Sequence, residues 1–325
     1  MYYSSAILTL VIQDLLSTVY ATRVSDGRPV CIKRVGSLSF ELLSLKALHE
    51  DTGRFDPENH CIPVIEVFVD DERKEMSYIV MPALDPVSPS RFKRVSEVVE
   101  FTSQVLLGLH YMHRKKIAHR DCSLHSIMSD ARATCNGEDD HNRSSLPRQC
   151  QTSSKAASAT MTYYFVGFRG AIECLPGDGR FTSEHQYTKD QEPPEFRDEE
   201  LPIYDPLHLD VFLVGNMLRR EFLDKYSNVG FLRDLIKHMM HDAPEERKDA
   251  RGVLRVWFRI LPRISSFQRA QRLHRLEEPW WRINLLPKIM SSTRTWGAIK
   301  KRRSPGIIRG ESGTVDVRPE GYALT

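Results

Sequence analysis

The chain has 325 residues, 41% hydrophobic and 27% charged, the composition of a globular protein with room for about two domains. Its net charge of +3 is near balance, and no run of about 18 apolar residues occurs, so no membrane span is expected. Six cysteines without a C-x-x-C pair argue against a disulfide framework, and reduced thiols in a cytoplasmic or nuclear protein are expected.

The first apolar run, Ala6 to Ile12, meets Asp14 at once and lacks a basic leader and a small-residue cleavage site. It is expected to be a strand and not a signal peptide. Val19 to Val24 and Pro29 to Val35 are β-rich runs separated by Ser25-Asp26-Gly27-Arg28, which predicts a hairpin. Phe40 to Glu50 has helical spacing, with Glu41, Leu45 and Leu48 on one face. Two more strands are expected at Val64 to Val69 and Ser77 to Met81, joined by the polar turn Asp70-Asp71-Glu72-Arg73. Together these make a small sheet-based lobe over residues 1–84.

Beyond the Pro-rich stretch Asp85 to Pro89 the pattern turns helical, and a long amphipathic helix is expected from Ser96 through Met112. Residues 131–160 are polar and poor in apolar side chains, an insertion expected to be disordered. Asp210 to Leu218 is apolar all round, as a helix at a domain centre must be, and Phe231 to Met240 carries a further helical face. Residues 85–261 are thus expected to form a helical lobe, with 262–325 a basic, partly disordered extension. From Gly252 to Thr325 the chain holds 15 Lys or Arg against 5 Asp or Glu, which leaves the remainder at −7. Lys300-Lys301-Arg302-Arg303 suits a nuclear-import address, a phosphate-binding patch or a solvated tail.

The residues with chemical content are Lys33 in Val30-Cys31-Ile32-Lys33, the string Ala118-His119-Arg120-Asp121-Cys122, and Phe165-Val166-Gly167-Phe168-Arg169. To these are added Pro193-Pro194-Glu195, Asp210 in Tyr204-Asp205-Pro206-Leu207-His208-Leu209-Asp210, and Arg247. In that order they resemble the anchors of a eukaryotic protein kinase. With Asn59-His60-Cys61-Ile62-Pro63-Val64 they are most similar to a divergent group of fungal kinase-like proteins. The resemblance covers Met1 to about Leu261 and implies an α+β, bilobal fold.

It also implies roles. Lys33 would face the nucleotide phosphates with Glu41 as its partner, although the interval between them is short for the family. Asp121 would accept the proton of a substrate hydroxyl, Arg120 would meet a phosphorylated residue, and His119 would bond backbone near Gly167. Met81, His125 and Arg169 are the further residues expected near a nucleotide, Arg169 as a counter-charge and His125 as a phosphate contact. Asp210, Glu195 and Arg247 would hold architecture.

Departures from the pattern bear on activity. No glycine occurs between Ile12 and Ser17, where backbone amides should approach phosphates. The two metal-ligand positions are Ser126 and Gly167, so neither carries a charge. ATP is the implied cofactor, and the residues argue against a firmly held Mg²⁺. The favoured expectation is a pseudokinase scaffold that binds a protein partner. An unorthodox ATP-dependent Ser/Thr kinase with a protein substrate is the second, and a basic nucleic-acid adaptor, which rests on the C-terminal charge alone, is the least supported.

Overall fold

Arg23 and Arg28 close the first hairpin: Arg23 N donates to Arg28 O at 2.7 Å, and Gly27 takes the positive φ of 69° that the turn requires. The computed structural model describes residues 18–50, 53–130, 161–174, 181–182, 188, 190, 192–196 and 203–278. The expected strand at Ala6 to Ile12, the insertion 131–160 and the basic cluster at Lys300 to Arg303 lie outside them.

The hairpin joins β1 (Thr18–Thr22) to β2 (Pro29–Gly36), with Tyr20 opposite Cys31. Ser39 caps α1 (Phe40–His49), its Oγ accepting from Leu42 N at 3.4 Å. Next come β3 (Glu66–Val69) and β4 (Met76–Pro82) around the turn in which Asp70 Oδ1 accepts from Glu72 N and Arg73 N, both at 2.9 Å. Val64 and Ile65, expected within the third strand, precede it, with Ile65 N still donating to Val80 O at 2.8 Å. The antiparallel sheet has the order β1-β2-β4-β3. Leu42, Leu45 and Leu48 of α1 are buried, as period 3.6 demands of a helix with one apolar face.

After β5 (Asp85–Pro86) runs α2 (Val95–Arg114), whose start is closed by Glu97 Oε2 accepting from Arg94 N at 3.2 Å. Its inward stripe, Val98, Phe101, Val105, Leu109 and Met112, matches the expected face. Short strands follow: β6 (Ile117–Ala118), β7 (Ile127–Asp130), β8 (Thr162–Phe165) and β9 (Ile172–Glu173), which pair as β5-β7-β8 and β6-β9. A further pair is β10 (Phe181–Thr182) with β11 (Ile203–Tyr204). The remaining helices are α3 (Pro206–Leu218), α4 (Arg233–Met239), α5 (Ala250–Ile260) and α6 (Ser266–Ala270). From Leu209 to Leu218 every residue of α3 is buried, which accounts for its apolar circumference.

The architecture is therefore mixed α+β, a small antiparallel sheet region joined to several helices. One apolar core is continuous across residue 84, from Val35 and Ile79 through Leu106 and Met217 to Leu273. Phe92 and Phe222 meet edge to face at 5.0 Å inside it, and Trp257 Nε1 donates to Ser103 Oγ at 2.9 Å. The folded body also runs past the expected limit at residue 261, ending at Leu276. Ile264 and Leu273 are buried, and Arg272 and Arg275 form isolated β-bridges with Arg94 and Tyr226. This strap showed no period in the sequence because it packs through single anchors instead of a repeating face. Among the described residues no helix is long and apolar enough to cross a membrane.

Candidate functional site

Lys33 lies on the central strand β2, and its Nζ donates to Glu41 Oε1 at 2.6 Å. The short interval is bridged because α1 begins directly after the turn at Ser37 to Ser39. That places Glu41 in the first helical turn, facing inward, where a carboxylate also suits the helix dipole. The side chains are 22% and 9% exposed, so the pair is shielded yet open on the lysine side. Met81, by contrast, is buried in the core opposite Cys31.

Asp210 organises the loop that carries Asp121. Fully buried in α3, it accepts from Arg120 N on Oδ1 and from His119 N on Oδ2, both at 2.7 Å. His113 Nε2 lies 3.2 Å from the same Oδ2. Arg120 has a φ of 66°, a left-handed conformation held by these bonds. His119 Nδ1 accepts from Asp121 N at 3.3 Å, so its Nε2 is the donor to Val166 O at 2.9 Å. The expected backbone contact beside Gly167 is therefore formed.

Asp121 is half-buried, and Ser126 Oγ donates to its Oδ2 at 3.1 Å. Ser123 Oγ stands 3.4 Å from Ser126 Oγ and extends the hydroxyl chain, a role the sequence did not suggest. Gly167 is exposed with a φ of 80° and open space where a β-carbon would stand. Phe168 after it is buried, its ring 4.8 Å from that of His119. Helix α1 packs against the turn Phe168–Gly170, which joins the Lys33–Glu41 pair to the Gly167 segment. Arg169 and His125 are exposed and hold no partner among the described residues.

Asn59 and His60 contribute more than a family string. Asn59 Nδ2 donates to Leu48 O at 3.1 Å and Gly53 O at 2.8 Å, while Phe165 N donates to His60 O at 2.7 Å. They tie the end of α1 to β8, just ahead of Gly167. Tyr111 OH reaches Leu48 O at 2.7 Å from α2 and secures the same helix end. Local pattern gave no signal for the contacts of His60 and Tyr111, because they join residues far apart in the chain.

The remaining anchors form a second, structural focus. Arg247 grips Glu195 with two nitrogens at 2.6 and 3.3 Å and donates to His208 O at 2.8 Å, its side chain fully buried. Thr188, ahead of Glu195, is 8% exposed and its Oγ1 accepts from Asp190 N.

Among the described residues no group of three His, Cys, Asp or Glu is placed to hold a metal ion. No protein-family model matches the chain, and no curated protein matches it. Chemically, the residues offer one lysine cation oriented by a glutamate, and one carboxylate held by a serine.

The thiols at this end of the chain are quiet. Burial pushes the Cys31 thiol up to about 11 against the opposing effect of Lys33, and Cys174 up to about 12; Cys61 and Cys122 are raised as well, chiefly by burial. Iodoacetamide at pH 8 should therefore label Cys31 and Cys174 at least about a hundredfold more slowly than a free thiol, whose pKa is about 8.5. Peptide mass mapping over time measures this, and labelling of Cys31 at the free-thiol rate would refute it.

Proposed function

We propose that the chain is a protein-kinase-like domain of two lobes that serves as a pseudokinase scaffold, binding a protein partner with little or no phosphotransfer. The observation that carries this reading is the state of the two metal-ligand positions. Gly167 offers no side chain, and Ser126 directs its hydroxyl to Asp121. Mg²⁺ takes oxygen ligands with at least one carboxylate beside the phosphates, and these residues do not fit it. Its Lewis-acid contribution is worth several kcal/mol, and each ~1.4 kcal/mol is tenfold in rate. Meanwhile Asp210, Glu195 and Arg247 keep their full bonding, as a retained framework requires.

The second reading, an active and unorthodox Ser/Thr kinase, is favoured by the 2.6 Å contact of Lys33 with Glu41 and by the presence of Asp121. In this reading, and in that of a scaffold that binds nucleotide without metal, Lys33 is the phosphate counter-charge for ATP. The nucleic-acid reading rests on the C-terminal charge alone, and its cluster at Lys300 to Arg303 lies outside the described residues.

Thermal unfolding with ATP, once with Mg²⁺ and once with EDTA, separates these outcomes. Ligand at a hundred times its Kd stabilises a fold by about 2.7 kcal/mol, a readily measured rise in Tm. A rise with EDTA assigns metal-free nucleotide binding to a scaffold, and no rise in either leaves a scaffold without nucleotide. A Mg²⁺-dependent rise, with phosphotransfer that Asp121→Asn abolishes, overturns the pseudokinase reading.

A further inference from the structure

A cavity of about 520 Å³ opens where the end of α2 meets the starts of α3 and α5. Six of its lining side chains are basic: His110, His113, Arg114, Lys116, His208 and Arg251. Two carboxylates also line it, and both are engaged as helix caps. Asp249 Oδ1 accepts from Gly252 N at 2.7 Å, and Asp205 Oδ1 from Leu207 N at 2.8 Å. Asp205 Oδ2 further takes the Nδ1 of His208 at 2.9 Å. Arg114 is paired with Asp56 and Glu58. Lys116 and Arg251 are exposed and have no ion pair with any described residue.

Lys116 is also conformationally unusual. Its φ of 61° is left-handed, which costs a residue with a β-carbon about 1–2 kcal/mol. The backbone is held there from both sides, Lys116 N donating to His113 O at 3.0 Å and Lys116 O accepting from Cys174 N at 2.7 Å. Glycine would relieve the strain, yet the position carries a cation beside the cavity.

We propose that this cavity binds a phosphate group, and that its occupancy steadies the loop bearing Asp121. Lys116 and Arg251 supply the charge, and the histidines supply further polar lining. His113 is the link: it lines the cavity while its Nε2 contacts Asp210 Oδ2, the oxygen that also receives His119 N. An anion that orders the His113 ring orders this bond, and with it the loop amides of His119 and Arg120. The inference is independent of whether the chain transfers phosphate.

Calorimetric titration of the full chain at low salt with inorganic phosphate and with phosphoserine amide tests it. Hydrogen exchange at His119 and Arg120 should slow at saturation. The double variant Lys116→Gly/Arg251→Gln should bind at least about tenfold more weakly. Its fold should persist, because glycine suits the left-handed backbone; Arg251→Gln alone, at an exposed position, repeats the comparison if it does not. Tighter binding of phosphoserine amide assigns the cavity to a phosphorylated side chain, and tighter binding of inorganic phosphate to the free ion. No binding at millimolar ligand, or affinity unchanged in the variants, overturns the site. Lost binding with unaltered amide exchange in the native chain overturns the link to the loop.

Discussion

An Asp210→Ala variant should lose about 3–5 kcal/mol of folding stability, the scale of a broken buried charge arrangement. Asp210 is fully buried and accepts two backbone N–H bonds at 2.7 Å with His113 at 3.2 Å. Alanine leaves those donors without an acceptor in a site that water does not reach, and each orphaned buried group costs about 1–3 kcal/mol. Arg120 would also lose one of the bonds that hold its left-handed backbone, so the loop around Asp121 should loosen before the helices do. Urea unfolding gives the stability, and hydrogen exchange at His119 and Arg120 gives the local effect. A loss below about 1 kcal/mol, with both amides still protected, would show that the loop is held by other contacts.

The second result expected is a gain. Under the pseudokinase reading proposed above, Gly167→Asp combined with Ser126→Asn should raise Mg²⁺-dependent phosphotransfer by at least about a hundredfold, since that reading returns a metal stabilisation of several kcal/mol at ~1.4 kcal/mol per decade. The structure permits the change. A β-carbon at Gly167 meets nothing within 4 Å. Its φ of 80° costs strain of about 1–2 kcal/mol, and aspartate is among the residues that tolerate this region best. Replacing Ser126 also removes the hydroxyl that donates to Asp121 Oδ2. Transfer of labelled γ-phosphate to the chain or a generic substrate is the assay, with Asp121→Asn in the same background as its control. If Mg²⁺-ATP stabilises the double variant while turnover stays at the native level, metal loss is not what limits the chemistry.

Much of the site was legible residue by residue. The face shared by Glu41, Leu45 and Leu48 predicted an inward glutamate, and the helix places it against Lys33. The string at His119 to Asp121 predicted the bond to backbone beside Gly167, which is formed through Val166. Met81, expected beside a nucleotide, is buried opposite Cys31, which lies two residues from Lys33 on β2 and so shares its face of the sheet.

By itself the sequence determined the local elements, since turn chemistry at Asp26-Gly27, the cap at Ser39 and the apolar stripes of α2 and α3 act within a few residues. It also showed that neither Ser126 nor Gly167 carries a carboxylate, on which the proposed pseudokinase reading turns, because side-chain identity is visible without coordinates. Only the tertiary structure decided which distant groups meet. The Asp210 clamp joins residues 90 and 91 apart, Arg247 reaches Glu195 across 52, and the strap at Arg272 returns to Arg94. Such pairings depend on how helices and strands pack, a property of the whole core that no local period encodes. The same holds for the cavity between α2, α3 and α5, whose basic residues come from three separate segments of the chain.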